Sequence, residues 1–467
     1  VNTVRDTADA IRRGERTAVE LVEECLTTIA QRDEALNAFL FLDADGARSA
    51  AIEIDARVAR GEDPGPLAGV PFGVKDLQHC AGMPTTHGSL LYKDGSLAER
   101  DSVQVARLRA AGAIPIGKTT ASEFGAVAYT NTKAWGITRN PWNPDRTSGS
   151  SSGGSATAVA AGMVPFATAS DGGGSIRIPA AFSGLPGLKP SFGRIPNAHR
   201  KSSHTGCWGT LTTSVADQAR LLDVCAGPDD LDRTSLPPAG VVYEDAIEHL
   251  DVRGQRAVWS RDYGFAPAID PEVEASAFAA AEALCDAAGI ELVERPLRFT
   301  DPVKLWLGTG TLDIWEMTDK RWWPERKDDF TRDLQFMLGA TEATTAAQYA
   351  RMMQRRLRFE HEMAEVFGDV DLILSPTTAV PPFAAEGPMP REINGVALAT
   401  PALCVPFTMA ANLCWNPAAS VPCGLTADGL PIGMQIMGRR HADDVVLRLM
   451  RIFEQARPWP LLAPTTA

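Results

Sequence analysis

The sequence predicts a layered α/β fold, because apolar runs of strand length alternate with amphipathic segments of helix length. GVPFGVKD (69–76) is typical of a buried strand that ends in charge, and SVQVARLRAAG (102–112) of a helix closed by glycine. AIPIGK (113–118) then predicts the next strand, and DLILSPT (371–377) a further buried strand far along the chain. Strands separated by helices favour a sheet on which the helices pack.

The remaining segments extend this pattern towards both ends of the chain. Val4, Ala8 and Ile11 lie at helical spacing and begin a predicted helical region. The other predicted elements are a strand at 38–43, a helix to about 60, a helix at 155–163, a strand at 164–170, helices at 176–184, 272–288 and about 345–367, a loop at 381–400, strands in NPAASVPCG and IGMQIMG, and a helix at 442–456. No internal repeat or long linker divides the chain, which predicts a single domain.

Composition narrows the class of protein. The 467 residues are 45% hydrophobic and 22% charged, which is enough apolar material for a sizeable core. The formal net charge of −13 argues against a nucleic-acid or anionic-membrane partner, since both require a basic face. Eight scattered cysteines, no signal-peptide pattern and no run of about 18 apolar residues predict a cytoplasmic protein with free thiols.

One motif match is rejected on physical grounds. GAIPIGKT (112–119) satisfies the P-loop pattern, yet its middle residues are apolar and Pro115 has no N–H to offer a phosphate. A core strand is the better interpretation of this segment.

A second match remains as an alternative. GSSSG (149–153) fits the nucleophile elbow of α/β-hydrolases, which would make Ser151 the nucleophile of an esterase. That interpretation requires an apolar strand before the serine, and NPWNPDRTS (140–148) does not predict a strand.

The stretch 147–196 carries the candidate chemistry. In DGGGS (171–175), consecutive glycines allow the backbone N–H groups of Gly172, Gly173, Gly174 and Ser175 to point into one concavity. Such N–H groups can stabilise an oxyanion, and a serine at the end of the turn is placed to attack a carbonyl carbon.

Taken together, the motifs resemble those of the amidase signature family. GSSSGGS is followed by SDGGGSIRIPAAFSGLPGLKP, with GVPFGVKD upstream and NPAASVPCG and DGLPIGMQ near the C-terminus. The resemblance covers most of the chain, and residues 201–380 are its weak part. It implies a mixed central sheet covered by helices on both faces, in one amidase domain with an N-terminal helical part (1–65), a signature core (66–200), a variable substrate-specificity part (201–380) and a C-terminal part that completes the sheet (381–467).

The resemblance also implies roles for individual residues. The family's nucleophile falls on Ser175, its bridging serine on a cis peptide falls on Ser151, and its lysine falls on Lys75. The oxyanion hole falls on Gly172, Gly173, Gly174 and Ser175, and the reaction needs neither metal nor cofactor. Ser150, Ser170 and Gly172 depart from the family's usual residues without disturbing this assignment.

The substrate is less defined by the sequence. Ser150, Trp306 and Trp315 are candidate substrate-binding residues, with Trp322 and Trp323 in the same tryptophan-rich segment. An aromatic pocket would suit a small-molecule amide, anilide or carbamate. The sequence does not define the oligomeric state, for which a homodimer is a candidate. The resemblance also admits the glutamine-hydrolysing component of an amidotransferase, but Val405 in VPFTMAAN stands where that subgroup is expected to have a carboxylate.

Overall fold

The computed structural model describes residues 3–199, 201–318 and 322–464. Its α-helices are α1 Val4–Arg12, α2 Ala18–Leu36, α3 Ala44–Ala59, α4 Val103–Ala110, α5 Gly153–Ala160, α6 Arg177–Ser183, α7 Val215–Cys225, α8 Tyr243–His249, α9 Pro271–Ala288, α10 Val303–Met317, α11 Arg332–Thr341, α12 Ala346–Asp369, α13 Met409–Leu413 and α14 Asp443–Ala456. Its strands are β1 Phe39–Leu42, β2 Pro71–Lys75, β3 Ile114–Thr119, β4 Asn131–Thr132, β5 Gly136–Ile137, β6 Arg139–Asn140, β7 Asn143–Thr147, β8 Phe166–Asp171, β9 Gly187–Lys189, β10 Cys207–Leu211, β11 Arg256–Trp259, β12 Glu291–Val293, β13 Leu372–Pro376, β14 Glu392–Ile393, β15 Val396–Ala397, β16 Ala418–Leu425 and β17 Pro431–Gly438.

Eleven strands form one mixed sheet in the order β1-β3-β2-β8-β10-β9-β16-β17-β13-β11-β12. β2 runs parallel to β3 and β8, and β11 runs parallel to β12 and β13. The other neighbouring pairs are antiparallel. The C-terminal hairpin β16–β17 lies between β9 and β13, so it joins the signature core to the strands of the variable part.

Helices cover both faces of this sheet. In β13, Leu372 and Leu374 enter the apolar cluster that includes residues of α7, α9 and α14, whereas Ile373 enters the cluster that includes residues of α6 and α12. Successive side chains of a strand point to opposite faces, so this alternation requires a core on each side. The predicted mixed sheet with helices on both faces is confirmed.

Helix ends are set by side chains that the sequence supplies. Thr17 and Glu20 form a reciprocal capping box at the start of α2. Asp270 caps α9 ahead of Pro271, and Gly289 closes that helix in the left-handed conformation with φ of 65°.

Most predicted elements are present, and two details differ. The segment that matches the P-loop pattern contains β3, a fully buried strand between β1 and β2, as its apolar residues predicted. NPWNPDRTS, predicted not to be a strand, contains β7, which pairs with β6 outside the central sheet and forms a single β-bridge from Arg146 to Ala384. The predicted loop at 381–400 contains the two-stranded ribbon β14–β15. Across the described ranges, no helix combines the length and apolar character needed to cross a membrane.

Candidate active site

Lys75 ends β2 inside the molecule, where its amine is surrounded by hydroxyl groups. Its Nζ lies 2.8 Å from Oγ of Ser151, 2.8 Å from Oγ of Ser152 and 2.9 Å from Oγ of Ser170. The carbonyl oxygen of Ser170 is 3.3 Å away. The lysine is completely buried. Strand β2 therefore places a titratable amine among serine hydroxyls inside the core.

Burial determines the protonation behaviour of this amine. It lowers the pKa of Lys75 well below the ordinary value of 10.5, because a buried ammonium loses its hydration. The negative charge of Asp171 opposes this shift, and the positive charge of Lys201 adds to it. Lys75 therefore becomes neutral at a lower pH than a solvent-exposed lysine.

Ser151 lies just before α5 and follows a cis peptide bond to Ser150. Ser151 is part of the wall of a large cavity, and its hydroxyl bonds with the amine of Lys75. An α/β-hydrolase nucleophile would instead contact a histidine. Ser150 is buried away from the cavity wall, and its hydroxyl has no hydrogen-bond partner in the described part of the chain. The structure therefore places Ser150 outside the cavity wall, and its contact with substrate stays a prediction.

In the glycine turn after β8 (171–175), the backbone carbonyls of residues 171–174 each accept a hydrogen bond. Asn412 donates to the carbonyl of Asp171 at 2.8 Å, and Trp306 Nε1 donates to the carbonyl of Gly172 at 2.7 Å. Thr408 Oγ1 donates to the carbonyl of Gly173 at 2.5 Å, and the N–H of Ile178 donates to the carbonyl of Gly174 at 2.7 Å. Each carbonyl shares a rigid peptide plane with the next N–H, so these bonds orient the N–H groups from Gly172 to Ser175.

A buried ion pair braces the same turn. Asp171 and Arg177 are fully buried, with Oδ1–Nη2 at 2.9 Å and Oδ2–Nε at 3.0 Å. Arg177 also donates to Asn412 Oδ1, Gln435 Oε1 and the carbonyl of Thr408. Burial by itself would raise the pKa of Asp171, but Arg177, Lys189 and Asn412 together outweigh it and lower that pKa below its usual range. Asp171 and Arg177 thus brace the turn.

The carboxylate of Asp171 also accepts a hydrogen bond from one of the backbone N–H groups of the turn. The N–H of Gly174 donates to Asp171 Oδ1 at 2.7 Å, so this predicted oxyanion donor is already used. Gly172, Gly173 and Ser175 line the cavity, and their N–H groups make no hydrogen bond to the residues that the structure describes. The Ser175 hydroxyl likewise makes none within these ranges.

The cavity above the turn has a volume of about 520 Å³. Its apolar and aromatic lining comprises Leu77, Tyr92, Phe124, Phe192, Ile195, Trp208, Trp306, Leu307, Ile314, Met317 and Met337. Its ionisable lining comprises His79, His87, His199, Lys201, His204, Asp232, Asp313 and Glu316, together with Cys207. A cavity of this size and character suits an organic molecule.

The two candidate tryptophans have different environments. Trp306 lines the cavity and contacts the glycine turn through its indole N–H. Trp315 does not line it: its ring packs edge-on against Trp323 with centroids 5.7 Å apart, and its indole N–H donates to Thr341. The structure thus places Trp315 behind the cavity wall, in an apolar cluster with Phe124 and Ile314, and its contact with substrate stays a prediction.

Several residues at the site had no predicted role. Ser152 and Ser170 bond to Lys75, while Thr408, Asn412 and Gln435 support the turn or its ion pair. The sequence held a signal for three of them, since Thr408 and Asn412 lie in FTMAAN and Gln435 ends DGLPIGMQ. In the described ranges, no group of three or more histidine, cysteine, aspartate or glutamate side chains is arranged to hold a metal ion.

Comparison with known proteins identifies the family. The Amidase family model matches residues 20–447. An acylamidase of Rhodococcus erythropolis is 35% identical over 446 residues, covering 94% of this chain and 92% of that protein. A glutamyl-tRNA(Gln) amidotransferase subunit from Chloroflexus aggregans is 35% identical over 496 residues, covering 100% of this chain and 98% of that protein.

Solved structures give the same answer. A bacterial aryl acylamidase of the amidase signature family superposes with a TM-score of 0.92 at 31% identity, covering 98% of this chain and 96% of that one. A 6-aminohexanoate cyclic dimer hydrolase superposes with a TM-score of 0.88 at 28% identity, covering 98% and 97%. Sequence, fold and motif order agree, and the chain belongs to the amidase signature family.

Proposed function

We propose that this amidohydrolase is a stand-alone serine amidase that cleaves the C–N bond of an amide, anilide or carbamate through an acyl-enzyme on Ser175. The observation that carries the proposal is the 2.8 Å contact between the buried amine of Lys75 and the hydroxyl of Ser151. Ser151 and Ser175 line one cavity with the unused N–H groups of the glycine turn. A base, a bridging hydroxyl, a nucleophile and oxyanion donors are thereby assembled in one place.

The proposed relay begins at Ser175. Its hydroxyl is a weak nucleophile and must lose its proton as Oγ attacks the substrate carbonyl carbon. Ser151 accepts that proton and passes its own to neutral Lys75, so the amine becomes an ammonium and no net charge leaves the site. The two serine hydroxyls are not hydrogen-bonded to each other here, and such contacts often tighten only in the substrate complex.

The N–H groups of Gly172, Gly173 and Ser175 are the proposed oxyanion donors. These three residues line the cavity, and the carbonyl that shares a peptide plane with each N–H already accepts a hydrogen bond. Donors held in advance cost no reorganisation as charge develops, and removing one typically costs about 3–4 kcal/mol of barrier. Gly174 contributes by anchoring the turn to Asp171.

Collapse of the tetrahedral intermediate breaks the C–N bond. Lys75 returns its proton through Ser151 to the leaving nitrogen, which departs as an amine, and the acyl group stays on Ser175. Water then attacks the acyl-enzyme, giving its proton to the same relay, and Ser175 regains a proton as the acid leaves. A carbamate releases a carbonic acid half-ester at this step if it is cleaved at the same bond.

The cavity lining supports an apolar group beside the scissile bond. Trp306 contacts the glycine turn, and Phe124, Ile314, Met317 and Met337 line the same space. These side chains favour an aromatic or alkyl substituent through apolar burial. Similarity to an acylamidase and to an aryl acylamidase supports the same substrate class.

The alternative function, as an amidotransferase subunit, rests on relatives whose sequence identity to this chain equals that of the acylamidase. The glutamyl-tRNA(Gln) amidotransferase relative from Chloroflexus aggregans is 35% identical to this chain. Val405, however, is buried in an apolar cluster where a carboxylate was expected for that subgroup. The chain's own residues therefore favour the stand-alone enzyme, and glutamine belongs in the test as the competing substrate.

The deciding experiment combines active-site labelling with a hydrolysis panel. A fluorophosphonate probe is expected to label Ser175, with labelling lost in Ser175→Ala and the fold retained by circular dichroism. The panel contains anilides, primary amides, carbamates, esters and glutamine. Labelling at Ser151 would instead support the esterase alternative, exclusive hydrolysis of glutamine would support the amidotransferase, and absence of both labelling and turnover would leave an inactive scaffold.

A further inference from the structure

The proposed nucleophile shares its cavity with Lys201. This lysine lies in the loop between β9 and β10, is partly buried and lines the cavity with Ser151 and Ser175. Among the residues described, its amine has no hydrogen bond and no ion pair within 4 Å. An ammonium carries three N–H donors, and leaving them unsatisfied in a shielded site is costly. The amine of Lys201 is therefore available to donate hydrogen bonds to a molecule bound in the cavity.

Two carboxylates near Lys201 accept hydrogen bonds from Ser202 and Ser203. Asp313 accepts the N–H of Ser203 at 2.9 Å and the hydroxyl of Ser203 at 2.5 Å. Glu316 accepts the hydroxyl of Ser202. Both carboxylates lie on α10 and act on the charge of Lys201 from a distance, opposing the fall in its pKa that burial causes. Their negative charges offset the positive charge of Lys201, but they accept no hydrogen bond from its amine.

This charge arrangement restricts what the amine can bind. One ammonium beside two carboxylates gives a local formal charge of +1 − 2 = −1, so a carboxylate ligand would be repelled. The nearby His87 adds no positive charge, because burial lowers its pKa to about 3. A neutral oxygen acceptor gains a charge-assisted hydrogen bond without that repulsion. An amide, carbamate or ester carbonyl is such an acceptor.

We propose that Lys201 binds a second carbonyl oxygen of the substrate, so that preferred substrates carry another amide, carbamate or ester group besides the one that is cleaved. The proposal rests on the proposed hydrolysis at Ser175 and names a substrate class for it. A cavity of about 520 Å³ leaves room for a substituent on the scissile group.

The test compares matched substrates rather than absolute rates. N,N′-diacyl diaminoalkanes with two, four or six methylenes are each paired with the monoamide in which the second amide is replaced by methylenes. Lys201→Met should lower kcat/KM for the best diamide about tenfold or more relative to its paired monoamide. Lys304→Met, an exposed lysine on α10, is the matched control and should leave every ratio unchanged.

The ratio is the decisive readout, because the charge of Lys201 also lowers the pKa of Lys75. Its removal alters relay chemistry equally for both members of a pair, and that change cancels in the ratio. Equal losses on diamides and monoamides would overturn the inference and leave the amidase function standing. A larger loss on N-acylamino acids of the same length would also overturn it, in favour of a carboxylate site. Wild-type turnover equal to that of Ser175→Ala on every substrate would instead refute the proposed function itself.

Discussion

The indole Nε1 of Trp306 donates a hydrogen bond of 2.7 Å to the carbonyl of Gly172. This bond connects α10, in the variable part of the chain, to the glycine turn beside Ser175. The Gly172 carbonyl and the Gly173 N–H belong to one peptide plane, so Trp306 orients a proposed oxyanion donor while also forming cavity wall. In the proposed mechanism, substrate recognition and oxyanion stabilisation are therefore coupled through a single side chain.

Trp306→Phe should keep the apolar wall and lose the bond to Gly172. A neutral hydrogen bond contributes about 0.5–1.5 kcal/mol, so we expect kcat to fall roughly two- to tenfold while KM changes less. Trp315→Phe is the matched control, because Trp315 bonds to Thr341 outside the cavity. Steady-state kinetics on one anilide checks both variants. Equal effects of the two changes would contradict the special position of Trp306.

Gly173→Ala should be far more harmful than Gly172→Ala. A Cβ at Gly173 would lie 2.2 Å from the Trp306 ring, whereas at Gly172 the nearest atom is 3.9 Å away. The clash must displace Trp306 or the turn, so we expect kcat/KM to fall about 100-fold or more in Gly173→Ala. Gly172→Ala should stay within about threefold of wild type. A Gly173→Ala variant with wild-type kinetics would show that the turn needs no such close packing.

Activity should rise with pH through the lowered pKa of Lys75. The relay needs the neutral amine, and burial moves its pKa well below 10.5. We therefore expect kcat/KM to increase on the acid side and reach its plateau before an ordinary lysine would titrate. Lys75→Arg stays charged at every accessible pH and should be inactive throughout. A flat profile from pH 5 to 10, or an active arginine variant, would exclude Lys75 as the base.

The same shift makes a prediction about stability. The folded-state pKa of Lys75 lies below its unfolded value, so the unfolded chain binds more protons between the two. Lys75 thus costs stability at pH values below its folded pKa, and that cost disappears as pH rises towards 10.5. Lys75→Met should reduce the rise in the free energy of unfolding over this range, as measured by urea denaturation at several pH values. An unchanged pH dependence would contradict the burial argument.

Asp171→Asn should destabilise the protein strongly, because it leaves Arg177 charged and buried. Breaking such a pair typically costs about 3–5 kcal/mol. The pKa of Asp171 is depressed, so the wild-type pair contributes at and above pH 3.8 and is lost only as pH falls through the still lower folded pKa. Urea denaturation at pH 7 measures the difference.

The control for this variant is Asp251→Asn, which breaks the exposed pair with Arg253 and should leave the midpoint unchanged. A small effect of Asp171→Asn, comparable to that of the surface control, would show that the turn does not depend on the buried pair.

Local sequence was sufficient for most of the secondary structure. The apolar run that becomes β3 and the amphipathic segment that becomes α4 differ in periodicity, and each period selects one backbone geometry. Motif order also identified Lys75, Ser151 and Ser175 as one candidate constellation, although they are far apart in the chain. β7 was missed because its residues are polar and its pairing with β6 is short.

Contacts between distant segments were beyond such reasoning. By itself the sequence determined the periodicities of the strands and helices and the identity of a glycine turn that ends in serine. Only the tertiary structure decided that Trp306 bonds to the carbonyl of Gly172, that Ser150 is buried and that Trp306, but not Trp315, lines the cavity. Periodicity arises from neighbours along the chain, whereas the direction of a side chain depends on packing against other elements, and Trp306 and Gly172 are 134 residues apart in the chain.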